Sequence, residues 1–256
     1  MSNSKNIDSE KIRKKFLEFF ENKGHKIVPS SSLIPDDPSV LLTTAGMQQF
    51  KKYFTAELDA LKDFGSRKTV SIQKCFRTSD IEEVGDKTHL TFFEMLGNFS
   101  FGDYFKQSAI LWAYEFVTKI LGIDANKITI SIFKGDSSAG SGQAIPFDEE
   151  SYNIWRKELG IPKDKIILGE RKDNFWGPTG DEGPCGPSSE IYVDGVEIWN
   201  LVFNEYYKEK NGAFKKAENP GVDTGMGLER LASIFQRTDD VFETDLLKPL
   251  FLKIQE

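Results

Sequence analysis

The stretch Asp223-Thr224-Gly225-Met226-Gly227-Leu228-Glu229-Arg230 puts the tightest constraint on how this chain can fold. Two glycines one residue apart permit a tight backbone turn and let a ligand approach the main chain with no Cβ in the way. Leu228, Leu231, Ala232 and Phe235 then recur at helical spacing, which predicts a helix opening inside the glycine pair. The N–H groups of its first turn face the loop, with Arg230 about one turn in. A helix N-terminus beside an arginine suits a phosphate. A plainer account fits the same residues: a glycine-rich turn before an amphipathic helix, with Arg230 paired to a surface carboxylate. The rest of the chain has to decide between them.

From the N-terminus, Ile12, Phe16, Phe19 and Phe20 share one face of a helix from Ser9 to Lys23, with Ser9 as N-cap. Gly24 ends it, and short strands are expected at residues 25–29 and 40–44, with a helix over 45–54. Lys68 to Phe76 reads as a strand running into Arg77. A polar segment with Asp80, Glu82, Glu83 and Asp86 follows, and residues 90–93 return as a strand. This is a long hairpin with Arg77 at its mouth, and loops of that length are often functional. Residues 97–103 read as a compact aromatic turn and 106–121 as a helix with a strongly apolar stripe. Further strands are expected over 127–133, 190–193 and 197–203, the last two joined at Asp194-Gly195, a strong hairpin signal. Residues 135–142 read as a Gly/Ser surface loop, 149–159 as a helix, 174–187 as Gly/Pro-dense with little regular structure, and 211–220 as a polar link. A last helix is expected over 245–254, and its lack of a capping glycine reads as a cut within a longer protein. Helices interleave with hairpins rather than with parallel crossovers, so the expected fold class is α+β, an antiparallel β-sheet flanked by helices.

Composition narrows the setting. Charged residues at 29% and hydrophobic residues at 39% of 256 describe a soluble globular protein. No apolar run approaches the roughly 18 residues of a membrane span, and the N-terminus has no signal core. Two cysteines cannot build a disulfide framework, and no Cys/His cluster has zinc spacing. A reducing, cytoplasmic compartment is expected. The formal charge of −7 argues against broad adhesion to nucleic acid but leaves room for a local basic groove.

Arg77 and Arg230 can approach a polyphosphate from different elements, as fork-shaped donors that stay protonated. Phe92 and Phe93 lie close to the first, and a purine can stack between a ring and a guanidinium. Adjacent strand residues face opposite sides, so one of the two is expected in the core. Further on, Ile198, Asn200 and Val202 share one face of a strand, and Glu197, Trp199, Leu201 and Phe203 the other. An amide beside a small apolar side chain can line a small pocket, or Asn200 can simply be a core amide. His25 has no catalytic partner nearby and reads as structural.

With these residues in view, the chain resembles the N-terminal catalytic domain of the alanyl-tRNA synthetases, a family of class II aminoacyl-tRNA synthetases. The resemblance spans nearly the whole chain. Its most specific pieces run from Thr91 to Lys106, Gly183 to Pro187, Glu197 to Phe203 and Asp223 to Arg230, supported by Thr43-Thr44-Ala45-Gly46-Met47.

The resemblance implies a class II antiparallel sheet with three motifs: the first helix and following strands, the hairpin from Lys68 to Met95, and the stretch from Asp223 onward. It implies that residues 1–240 form the catalytic domain and that 241–256 begin a helical tRNA-recognition region. By the same resemblance, Arg77 holds the ATP α-phosphate, Phe93 stacks on adenine, and Arg230 serves the γ-phosphate side with Gly225 and Gly227 beside it. Trp176, Asn200, Val202 and Asp223 would form the alanine pocket, Asp223 facing the ammonium. His89 would reach phosphate, and Glu197 would be a Mg²⁺ ligand if a bulge turned it onto the face of Asn200. No zinc site is expected. The implied reaction is attack of the alanine carboxylate on the ATP α-phosphate, then transfer to the 3′ end of tRNA(Ala). The fragment, expected to be monomeric and without a membrane partner, would carry the activation step, with tRNA met mostly through regions outside it. Two other readings remain open: transfer to a non-tRNA acceptor, and a non-catalytic nucleotide sensor. The family's motif 2 loop is often longer and more basic than Thr78 to Glu83, so no lysine role carries over there.

Overall fold

The computed structural model describes residues 7–36, 40–136, 144–178 and 181–256. The Gly/Ser loop expected over 135–142 falls almost wholly outside them. The strands are β1 (Lys26–Ile27), β2 (Lys68–Phe76), β3 (Phe92–Phe101), β4 (Ile128–Phe133), β5 (Ile166–Gly169), β6 (Phe175–Trp176), β7 (Gly183–Val193), β8 (Val196–Lys208) and β9 (Phe214–Gly227). The α-helices are α1 (Ser9–Asn22), α2 (Lys51–Phe54), α3 (Ala60–Phe64), α4 (Lys106–Glu115), α5 (Glu149–Asn153), α6 (Arg171–Asn174), α7 (Leu228–Gln236) and α8 (Lys248–Gln255).

Among the described residues the nine strands form one sheet in the order β1-β2-β3-β9-β8-β7-β4-β5, with β6 on β7. Its centre is antiparallel, as expected. The sheet as a whole is mixed, because β1 runs parallel to β2 and β4 parallel to β5. Alternation sorts its two faces. Leu96, Trp199, Leu201, Phe203 and Met226 point into a core shared with α1, α4 and α7. Met95, Asn200, Val202 and Gly225 point the other way, toward the cavity described below.

Helix α1 starts where a carboxylate can cap it. Asp8 accepts from the Lys11 N–H at 2.8 Å, so Asp8 rather than the expected Ser9 is the N-cap. The predicted stripe Ile12, Phe16, Phe19 and Phe20 is buried, and Phe16 meets Phe116 and Trp199 edge-on. Arg13, on the same helix, grips Glu94 of β3 through Nε and Nη2 at 2.9 and 2.6 Å. Helices α4 and α5 each run on into a π-helical turn, Phe116–Ile120 and Ile154–Glu158, which together fill the longer ranges read from periodicity.

Several turn-like segments prove to be strand. Residues 97–101 extend β3, because Gly97 lets the chain pass where a Cβ would lie 2.7 Å from the Thr224 carbonyl oxygen. The bend comes only at Gly102, with φ of +75°. Residues 183–187 belong to β7, where a Cβ on Gly186 would lie 1.8 Å from the Phe203 carbonyl. Most of the expected 211–220 link is β9, and Pro220 falls where the ladder to β8 is interrupted between Asn204 and Tyr206. Conversely, residues 40–44 form no strand. Thr43 instead accepts from the Phe76 N–H at 2.8 Å, closing the end of β2. The hairpin at Asp194-Gly195 forms as read, with φ of 50° and 85°.

A buried cation stitches the helical layer to the sheet. Lys106 is 3% exposed and lies 2.8 Å from Asp148 and 3.0 Å from Glu205. Changing Lys106 to Ala strands Asp148 without a counter-charge, and losses of about 3–5 kcal/mol are usual for half of such a pair. Urea unfolding should show that loss; a shift below about 1 kcal/mol would contradict the assignment.

Candidate active site

The glycine pair that opened the sequence reading is not a turn. Neither Gly225 nor Gly227 has a positive φ, both lie in β9, and α7 begins at Leu228 with Gly227 as its N-cap. The use of Gly225 is close approach: a Cβ there would lie 2.8 Å from the Met95 sulfur. Strand, glycines and helix therefore form one straight passage along the wall of a cavity of about 440 Å³, a size that suits a small-molecule ligand.

All eleven residues singled out from the sequence line this one cavity. Backbone pairing explains why. Asn200 sits opposite Gly225 and Val202 opposite Asp223, while Met95 of β3 sits opposite Gly227. Arg77 leaves the end of β2, directly before the loop that carries His89, and Phe93 returns beside it. Trp176 enters from β6.

One end is cationic. The Arg77 Nε donates to the Thr44 carbonyl at 2.9 Å, and its guanidinium lies 5.1 Å over the Phe93 ring. Arg230 reaches the Glu197 carboxylate at 3.3 Å, the ion pair of the plainer account, made with a carboxylate of the cavity rather than of the surface. The His89 ring lines the cavity, but its Nδ1 meets Asp86 at 2.5 Å. Bonds from the Thr88 N–H and from His89 hold the Asp86 carboxyl well below the usual range. Neither Phe92 nor Phe93 is in the core: Phe92 is exposed and Phe93 forms cavity wall.

The other end holds a buried acid. Asp223 is 7% exposed and, among the described residues, its carboxylate receives no hydrogen bond and no ion pair. Burial alone pushes its carboxyl up to about 7. Such a group is incomplete until a cation or donor arrives.

Glu197 joins the cavity through a bulge. Ile191 pairs with Trp199 but Tyr192 pairs with Glu197, so β8 carries one extra residue at Ile198. That shift turns Glu197 onto the side of Asn200, which strict alternation would forbid. Among the described residues no group of three or more His, Cys, Asp or Glu could by itself hold a metal. A Mg²⁺ that arrives on nucleotide phosphates needs only one or two protein carboxylates, and Glu197 meets that requirement.

Two buried acids escaped the sequence reading. Glu190 of β7 accepts from Asn200 Nδ2 at 3.0 Å, and Glu229 of α7 accepts from the Glu94 N–H at 3.0 Å, with burial pushing it up to about 7. Glu229 was visible inside the Asp223–Arg230 stretch. Glu190 was not, because its pairing with Asn200 depends on the same bulge.

A nine-stranded sheet with α1, α4 and α7 packed on one face and this cavity on the other has known counterparts. The sequence model described as "tRNA synthetases class II (A)" matches residues 11–256. The structure of pyrrolysyl-tRNA synthetase from Desulfitobacterium hafniense superposes with a TM-score of 0.54 at 13% identity, covering 93% of this chain and 72% of that one, a likeness of fold. The chain belongs to the class II tRNA synthetases. Among curated relatives, a protein named alanine–tRNA ligase from Rubrobacter xylanophilus is 47% identical over 98% of this chain and 30% of its own length. Another of that name, from Petrotoga mobilis, is 44% identical over 98% of this chain and 29% of its own length. The chain thus spans under a third of the relatives it matches.

Proposed function

We propose that this chain activates L-alanine with ATP, giving alanyl-adenylate and pyrophosphate, as the catalytic part of an alanine–tRNA ligase that then charges the 3′ end of tRNA(Ala). The observation that carries the reading is the polarity of the cavity: two arginines at one end, and at the other a buried carboxylate without a partner among the described residues.

In this reading Asp223 binds the alanine ammonium, and Trp176 and Val202 bound the methyl group. Asn200 orients the amino acid so that its carboxylate faces the nucleotide. Phe93 stacks the adenine. Arg77 holds the α-phosphate and takes up charge as the carboxylate oxygen attacks and pyrophosphate leaves in line, while Arg230 serves the γ-phosphate side. His89 stands at the phosphate rim. When Mg²⁺ is bound, Glu197 is the carboxylate that would hold it, and the ion supplies charge neutralisation on the phosphates. No covalent intermediate with the protein is needed. Residues 1–240 form the activating unit, and 241–256 lead toward regions that contact tRNA. A cytoplasmic setting agrees with Cys75 and Cys185, both free and buried.

ATP–pyrophosphate exchange with alanine, glycine and serine tests this. Alanine should give the highest kcat/KM. Serine should be rejected by the walls of the pocket, and glycine only weakly, because one methyl group decides about 1–3 kcal/mol. Exchange that favours another amino acid would overturn the alanine assignment and leave the family unchanged.

A further inference from the structure

Glu190 is 6% exposed at the wall of the cavity, and three donors converge on it. Ser131 Oγ and Tyr192 Oη donate to its Oε2 at 2.8 and 2.6 Å, and Asn200 Nδ2 donates to its Oε1 at 3.0 Å. Ser131 Oγ in turn accepts from Asn174 Nδ2 at 2.7 Å. Asn174 is fully buried and ends α6, two residues before Trp176. A polar chain therefore runs from the Trp176 segment through β4 and β7 to Asn200 on β8, with the Glu190 carboxylate as its one pure acceptor.

We propose that Glu190 is the positioning residue of the amino-acid end of the cavity, a role that rests on the alanine-activation reading. An ionised carboxylate only accepts hydrogen bonds, so Asn200 must present Nδ2 to it. The amide is thereby locked in one sense. Its Oδ1 is buried and has no partner among the described residues, so this orientation is held at the cost of an unmet acceptor. Through Ser131 and Asn174 the same carboxylate anchors the segment that supplies the Trp176 wall. Asp223 gives the charge that attracts the ammonium; Glu190 sets which way the neighbouring amide faces and how firmly the wall stands.

Glu190→Gln separates this role from mere bulk. Gln keeps the volume and one acceptor oxygen for the two hydroxyls, but it turns an N–H₂ toward Asn200. The Asn200 amide must then turn over, exchanging donor and acceptor within the cavity wall. Alanine KM in pyrophosphate exchange should rise about ten- to a hundredfold, the usual range for a hydrogen bond to a charged group, with the ATP KM within about twofold. An equal loss against both substrates, or an unchanged alanine KM, would overturn the proposal. Ser131→Ala keeps the Glu190–Asn200 pair but removes one donor from Glu190 and, with it, the link to Asn174. It should lower the preference for alanine over serine severalfold, and an unchanged preference overturns the proposal even if Glu190→Gln fails to fold. Exchange by the unaltered protein is the reference. If that protein shows no alanine dependence, the functional reading itself falls; if it does and the variants behave like it, only the role of Glu190 falls.

Discussion

Replacing Arg77 with alanine is expected to lower kcat for alanine-dependent pyrophosphate exchange by about 10²–10³-fold, the usual cost of removing one preorganised donor from a charged transition state. Among the described residues, the Arg77 side chain makes one hydrogen bond, to the Thr44 carbonyl, and covers one ring. Little of the fold depends on it, so the thermal midpoint should stay within a few degrees. Arg77→Lys should recover only part of the rate, since an ammonium keeps the charge but loses the fork. A loss under tenfold for Arg77→Ala in a folded protein would remove Arg77 from the α-phosphate.

Asp223→Asn should be nearly as damaging, but to alanine kcat/KM rather than to ATP binding. The ammonium would lose the counter-charge assigned to it, and truncating one partner of a buried charge pair costs about 2–5 kcal/mol, or roughly thirty- to several-thousandfold. The pH dependence distinguishes the mechanism. With its carboxyl raised to about 7 in the ligand-free site, Asp223 holds a proton below that pH and cannot meet an ammonium as an anion. Alanine kcat/KM should climb as pH rises from 6 to 8, by about tenfold per unit on the acid side. Asn at 223 should abolish the climb. Glu229, also near 7, is the control: a climb that survives Asp223→Asn and disappears in Glu229→Gln would belong to the helix, not to the ammonium site. Stability should run the opposite way. Between about pH 4 and 7 the folded state keeps a proton on Asp223 that the unfolded chain has released, so stability falls as pH rises through that window. Asp223→Asn should flatten that part of the fall.

What the sequence made legible follows from how locally each feature is specified. The stripe of α1, the Asp194-Gly195 hairpin and the strand that delivers Arg77 are written in neighbouring residues, and each stands where it was read. Gly97, Gly186 and Gly225 misled because glycine marks close approach as well as turning, and only the partner strand tells which. Gly186 is flat strand because the Phe203 carbonyl presses on it; nothing in residues 183–187 reveals that. The site was legible through the family resemblance rather than through periodicity. Its geometry also depends on the bulge at Ile198, which brings Glu197 to the cavity and Glu190 opposite Asn200, and no local signal in β8 announces a bulge.

The contact between Arg77 and Phe93 has a thermodynamic consequence. A guanidinium 5.1 Å above the ring centroid leaves less than the roughly 7 Å that a base inserted between two flat partners requires, at about 3.5 Å per stack. A nucleotide entering there exchanges one stacking partner for another. The free energy of seating its base is the difference between two similar contacts, each worth about 0.5–1 kcal/mol when exposed. Tight holding must then come from the phosphates, so truncating the polyphosphate should weaken binding far more than altering the base.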